Sequence, residues 1–178
     1  MEERSYGELY SENDREIMKA AEDSLNPKID RIHEIIAFAK ESKIKSIGIA
    51  NCITFEKQAE ALQSLLEKNG FSTHRANCKL GKMPNEEILP GYKGTSCNPA
   101  GQAKYLADNN TELNIVMGLC MGHDIMFGLK SKVPTTTLLV KDRKLRHNPV
   151  EGFKSLEIKN TNNNFNRGHH ENSNSDKK

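Results

Sequence analysis

The stretch Ile44–Cys52, Ile-Lys-Ser-Ile-Gly-Ile-Ala-Asn-Cys, decides the fold. It combines isoleucines with small residues, which is typical of a strand buried on both faces of a parallel sheet. Before it, apolar residues recur at helical spacing from about Lys28 to Ser42. After it, Thr54 can cap a second helix, and Gly70 is well placed to end that helix. A strand between two helices predicts an α/β fold.

The same alternation continues along the chain. Three further segments read as strands, namely Phe71–Cys78, Leu113–Cys120 and Thr135–Val140. Asn98-Pro99 opens a helix before the third strand, and Gly122–Lys130 forms a short helix after it. Repeated strand–helix–strand units imply right-handed crossovers and parallel pairing. We therefore predict a single Rossmann-like, three-layer α/β domain with a mostly parallel sheet of about four strands in the order 2-1-3-4 and flanking helices.

The composition divides the chain into three regions. Residues 1–27 read as a helical lead-in, residues 28–158 as the α/β domain, and residues 159–178 as an Asn-rich tail that should be disordered. The pair His169-His170 lies in that tail. We interpret the pair as incidental, because ordering a flexible tail around a metal would cost conformational entropy.

Charge and hydropathy exclude several classes of function. The net charge is +2 with 28% charged residues, and no basic stripe with interleaved aromatic residues indicates nucleic acid binding. No apolar run approaches the ~18 residues of a membrane span, and Met1–Tyr10 lacks the apolar core of a secretory signal. We expect a cytoplasmic protein, either monomeric or oligomeric. In that compartment cysteines are more often metal ligands or catalytic groups than disulfides.

Four cysteines mark the candidate site. Cys52, Cys78 and Cys120 end the first three predicted strands, and Cys97 lies in the loop between the second and third. The carboxyl ends of parallel strands meet at one edge of a sheet, where ligands bind, so the four thiols should converge there. Thiolates favour zinc or an iron–sulfur cluster. Singly, each cysteine could be a core residue, and no Cys-x-x-Cys pair is present, so the metal prediction rests on topology.

The segment Gly118–Asp124, Gly-Leu-Cys-Met-Gly-His-Asp, supports two chemistries. As a metal motif it supplies Cys120 and, in reserve, His123, with an open position for a small-molecule ligand if one thiol is not a metal ligand. As a nucleophile elbow it would make Cys120 the attacking group of a hydrolase or acyl transferase, with His123 or His147 as base. A third alternative is a non-catalytic redox sensor whose cysteines form disulfides on oxidation.

A basic cluster follows the fourth predicted strand. Lys141 and Arg143 could contact an anion, and His147 could be a ligand or a base. The alternative is a solvated loop in which Asp142 caps a turn.

Several blocks together resemble the family called domain of unknown function 1847, over roughly Ile29 to Phe153. The blocks are Arg31–Lys40, Ile47–Cys52, Cys78–Gly81, Cys97–Pro99, Gly118–Asp124, Val140–Arg143 and His147–Pro149. The resemblance implies a bacterial or archaeal cytoplasmic protein, labelled metal-binding on account of its cysteines, with no reaction that can be named. Many relatives carry a further cysteine-rich stretch ahead of the α/β unit. Here residues 1–28 contain no cysteine, so either that stretch is a separate site that is absent here, or the four thiols are the whole site.

Overall fold

The computed structural model describes residues 5–154 and 156. Its centre is a four-stranded sheet of β1 (Ser46–Asn51), β2 (Ser72–Asn77), β3 (Leu113–Met117) and β4 (Thr135–Leu139). The strand order is β2-β1-β3-β4, and all three neighbouring pairs are parallel. The predicted fold class and strand order are confirmed. The helices are α1 (Glu12–Ser24), α2 (Arg31–Glu41), α3 (Glu56–Lys68), α4 (Pro99–Asp108) and α5 (His123–Lys130).

Helices cover both faces of the sheet, because the side chains of each buried strand alternate between two apolar clusters. The first cluster joins α2 and α3 to one face, and it contains Ile35, Ile36, Ala39, Ile47, Ile49, Ala59, Leu62, Leu66, Phe71, Leu113, Ile115 and Met117. The second joins α4 and α5 to the other face, and it contains Ala50, Cys52, Phe55, Cys78, Ala103, Leu106, Val116, Leu119 and Phe127. The result is the three-layer arrangement expected from the sequence.

Of two predicted helix starts, one is confirmed and the other is wrong. The α4 start is as predicted: Pro99 is its first residue, and the Asn98 side chain accepts a hydrogen bond from the Gly101 amide at 2.7 Å. The expected Thr54 cap of α3 is wrong. A short 3-10 turn occupies Ile53–Phe55, and α3 begins only after it. The physical reason is that this turn carries Phe55 into the second cluster, where it is 5% exposed.

The strands stop before the cysteines rather than at them. Cys52 and Cys78 each follow the last residue of their strand directly, whereas Cys120 lies beyond β3 in a turn. Gly118 has a φ of 63°, in the left-handed region, which breaks the extended chain after Met117. The predicted third strand was therefore too long.

The chain divides into two compact units, residues 1–139 and residues 140–178. The first contains the sheet and the five helices. In the second, residues 150–154 are helical. The pair His169-His170 lies outside the described residues. Within the described part of the chain, no helix is both long and apolar enough to cross a membrane.

Candidate thiol site at the carboxyl edge of the sheet

Two neighbouring strands end in the same tripeptide, Ala-Asn-Cys. In the parallel register Ala50 pairs with Ala76, and Asn51 pairs with Asn77. Since side chains alternate along a strand, the alanines and cysteines face α4 and α5, while the asparagines face α3. Cys52 and Cys78 accordingly belong to the second apolar cluster. The register of β1 on β2 therefore places the two thiols side by side.

The Sγ atoms of Cys52 and Cys78 are 3.9 Å apart. The two residues are 5% and 3% exposed. The sulfurs of a disulfide lie about 2 Å apart, and all four cysteines of the chain are thiols. A tetrahedral zinc ion with thiolate bonds of about 2.3 Å would separate two of its sulfurs by about 3.8 Å. The pair thus fits one edge of a tetrahedral thiolate site with almost no movement.

The third thiol, Cys97, lies against Cys78. The amide of Asn98 donates to the carbonyl oxygen of Cys78 at 2.8 Å, which fixes the start of α4 beside the end of β2. Burial is the largest cause that raises the pKa of the Cys78 thiol, the Ile53 amide at 3.4 Å from Sγ opposes it, and the Cys52 and Cys97 thiols add to the rise, so that the pKa is about 12. Cys78 is therefore a neutral thiol at physiological pH.

The fourth thiol, Cys120, lies in the turn between β3 and α5. It is half-buried, and its carbonyl oxygen accepts the amides of His123 at 2.9 Å and Asp124 at 3.1 Å. This turn follows β3, the strand next to β1. It leads from Cys120 to His123, the first residue of α5. Among residues 5–154 and 156, no group of three or more His, Cys, Asp or Glu side chains has an arrangement that could hold a metal ion.

Gln102, which was not among the predicted site residues, forms hydrogen bonds with both strands that precede the thiol pair. It is fully buried on α4, and its Nε2 donates to the carbonyl oxygens of Asn51 at 3.2 Å and Ala76 at 2.7 Å. One acceptor lies on β1 and the other on β2. The related signal in the sequence is the repeated Ala-Asn-Cys tripeptide, which marks the two strand ends that Gln102 joins.

A polar network covers the opposite face of the same strand ends. The fully buried Asn51 donates through Nδ2 to the carbonyl oxygen of Cys52 at 3.1 Å and to Glu56 at 2.8 Å. Arg75 forms an ion pair with Glu56. Burial raises the pKa of Glu56, but hydrogen bonds from Arg75, Asn51 and Asn77 outweigh it and lower the pKa overall. The carboxylate thus ties the ends of β1 and β2 to the first turn of α3.

The basic cluster belongs to the second unit and forms a local turn there. The Asp142 side chain accepts the Leu145 amide at 2.9 Å. The His147 amide donates to the Asp142 carbonyl at 2.7 Å, and His147 Nδ1 accepts the Asp142 amide at 3.1 Å. The turn therefore uses Nδ1 of His147 as an acceptor. The anion contact predicted for Lys141 and Arg143 stays a prediction.

A pocket of about 280 Å³ lies elsewhere in the first unit. Its walls come from α1, α2 and the starts of β3 and β4, and they include Ile17, Arg31, Phe38 and Thr136. No cysteine lines it. The thiol edge and this pocket are separate features.

The chain is similar to known proteins. The model of a family described as Protein of unknown function (DUF1847) matches residues 1–138. The chain belongs to the DUF1847 family. The matched part of this DUF1847 chain contains all four cysteines and ends before Lys141, Arg143 and His147.

One curated relative is similar over much of the same region. The DUF1847 chain is 46% identical over 123 residues to the uncharacterized protein MJ0455 of Methanocaldococcus jannaschii. The match covers 66% of this chain and 63% of the relative, so the chain spans less than two thirds of the relative's length. No solved structure matches the chain.

Proposed function

We propose that this DUF1847 protein is a metal-binding protein that holds zinc or an iron–sulfur cluster at the carboxyl edge of its sheet. The proposed ligands are Cys52, Cys78, Cys97 and Cys120, with His123 in reserve. The observation that carries the proposal is the 3.9 Å separation of the Cys52 and Cys78 sulfurs, close to the spacing of two thiolates on one metal. A cytoplasmic location would keep these thiols reduced.

The surroundings of Cys78 suit a thiolate bound to a cation. A bare thiolate is unfavourable in this buried position, which is why the pKa of Cys78 is raised to about 12. A metal would neutralise that charge and displace the proton. The Ile53 amide already donates to the sulfur at 3.4 Å, and such a hydrogen bond stabilises a metal-bound thiolate.

The remaining ligands come from the ends of a loop and a turn. The loop before Cys97 closes on itself, since the Asn85 amide donates to Gly94 at 2.8 Å and the Ser96 amide donates to Met83 at 2.8 Å. Cys97 neighbours Cys78, so it is the proposed third ligand. Cys120, in its half-buried turn, would supply the fourth.

The number of thiolate ligands would decide the chemistry. Four thiolates make a closed site, which suits a structural zinc or an electron-transfer cluster. If only three protein ligands bind the metal, a small molecule could take the open position and the metal would act on it as a Lewis acid.

The test is metal analysis with an absorption spectrum on protein purified without oxygen. We expect either one zinc per chain without colour, or several irons per chain with a visible band that bleaches on reduction. Cys52→Ala and Cys78→Ala should each abolish the bound metal. The surface variant Thr137→Ala on β4 is the matched control and should retain it.

The opposite result has a definite meaning. Protein without metal, in which an alkylating reagent labels Cys120 selectively, would contradict the metal proposal. It would favour instead a cysteine nucleophile with His123 as base.

A further inference from the structure

We infer that Gln102 is a positioning residue that sets the spacing of the thiols. Its Nε2 reaches two main-chain oxygens, one at 3.2 Å on Asn51 and one at 2.7 Å on Ala76. Asn51 directly precedes Cys52, and Ala76 lies two residues before Cys78. A single amide group therefore holds the two cysteine-bearing strand ends at a fixed distance from α4.

The same helix also fixes the third thiol. Cys97 lies immediately before Asn98, the residue that caps α4. The Asn98 amide donates to the Cys78 carbonyl at 2.8 Å, and its side-chain Nδ2 donates to the Leu80 carbonyl at 3.2 Å. Gln102 and Asn98 together tie α4 to β1, to β2 and to the chain beyond β2. Movement of Gln102 would thus displace Cys52, Cys78 and Cys97 relative to one another.

The energetics favour a positioning role over a purely structural one. Gln102 is fully buried, and its Oε1 has no hydrogen-bond partner among the described residues. An unsatisfied buried acceptor destabilises the fold. The helical neighbours Ala103 and Leu106 belong to the second apolar cluster, so the two hydrogen bonds to the strands are what explain a glutamine at this position. The amide orientation is also determined, because the reverse orientation would set Oε1 against two carbonyl oxygens.

This inference rests on the proposed metal function, but the spacing of the thiols can be measured without a metal. Phenylarsine oxide bridges two thiols through one arsenic atom, so it reports their separation directly. Zinc alone is the second probe. The variant is Gln102→Leu, with Gln102→Met as a second replacement if the first does not fold. Both remove the donor, and methionine keeps the length and flexibility of the chain.

The matched control is Leu106→Val. Leu106 is fully buried one turn further along α4 and makes no hydrogen bond to β1 or β2 through its side chain. Its truncation leaves a small cavity and removes no hydrogen bond. We expect the Gln102 variants to bind zinc about 10-fold to 100-fold more weakly than the wild type, as for other residues that hold metal ligands in place. We also expect slower bridging by phenylarsine oxide. Leu106→Val should change neither quantity.

Each outcome separates the inference from the proposed function. If the wild type binds zinc and the Gln102 variants bind it as tightly as Leu106→Val does, the positioning role is wrong and the metal function stands. If no variant binds metal but bridging by phenylarsine oxide slows only in the Gln102 variants, the positioning role stands and the metal function is wrong. If metal is absent and bridging is unchanged, both are wrong.

Discussion

At the scale of single residues, burial determines the chemistry of the thiols. Cys78 is 3% exposed, and its sulfur lies 3.9 Å from that of Cys52. Burial and the two neighbouring thiols raise its pKa to about 12, far above the usual value of 9.0. Without a metal the thiol is thus protonated and a poor nucleophile. A cation is the natural partner that would make the thiolate favourable.

The raised pKa predicts how the stability of the metal-free protein depends on pH. The unfolded thiol ionises near pH 9, whereas the folded thiol keeps its proton until about pH 12. The folded state therefore binds more protons in this window, and its stability falls as pH rises from about 9 towards 12. Below pH 9 the contribution is fully present. Urea unfolding at pH 8 and pH 10.5 measures the difference.

Cys78→Val is the control for this prediction, because it removes the titrating group and keeps an apolar side chain of similar size. Tyrosine and lysine titrate in the same window, so only the difference between the two proteins is informative. Equal losses of stability in the wild type and in Cys78→Val would contradict the prediction.

At the scale of elements, strand ends and turns decide which side chains meet. The parallel register of β1 on β2 pairs Asn51 with Asn77, which sets Cys52 beside Cys78. A slip of one residue would turn one of the thiols towards α3, because side chains alternate between the faces. The turn after β3 is equally constrained. Gly118 has a φ of 63°, and a methyl group there would overlap the ring of Phe55.

Gly118→Ala should therefore destabilise the fold by about 1–3 kcal/mol, since it combines left-handed strain with overpacking. Gly122→Ala separates the two effects. Gly122 has a φ of 84°, but nothing lies within 4 Å of the added methyl group, so only the backbone strain of about 1 kcal/mol should appear. Thermal unfolding of both variants measures this. A Gly118 variant no less stable than the Gly122 variant would show that Phe55 moves aside freely.

At the scale of the whole molecule, the thiol edge connects segments that are distant in sequence. Cys52, Cys78 and Cys97 come from the end of β1, the end of β2 and the residue before the α4 cap. A metal bound to all three would cross-link elements on both sides of the loop between β2 and α4. Any ligand that binds only the folded state adds to its stability by mass action.

Zinc should therefore stabilise the folded protein, by about 2.7 kcal/mol at a free concentration 100 times the Kd. Differential scanning fluorimetry with buffered zinc, and again after removal of zinc with a chelator, measures the shift. Cys52→Ala should lose the shift, and Cys120→Ala shows whether the fourth thiol is required. An unchanged melting temperature in the wild type would count against the metal proposal.

Much of the fold could be predicted because its signals are local. The isoleucine-rich β1 and the Asn98-Pro99 start of α4 are readable within a few residues. Parallel strands with right-handed crossovers then leave few topologies, and the order 2-1-3-4 is among them. The predicted Thr54 cap failed because Phe55 packs into the second cluster and a 3-10 turn replaces the helix start. The predicted third strand was too long because Gly118 adopts a left-handed φ of 63°.

The sequence by itself determined the order of the elements, the parallel sheet and the assignment of Cys52 and Cys78 to strand ends. Only the tertiary structure decided that Cys52 and Cys78, 26 positions apart, have sulfurs separated by 3.9 Å. It alone revealed that Gln102, 51 positions after Asn51, joins the two strands. The physical reason is that distances between strands depend on lateral register and on how a helix docks. Both are set by contacts between distant segments, which no local pattern encodes.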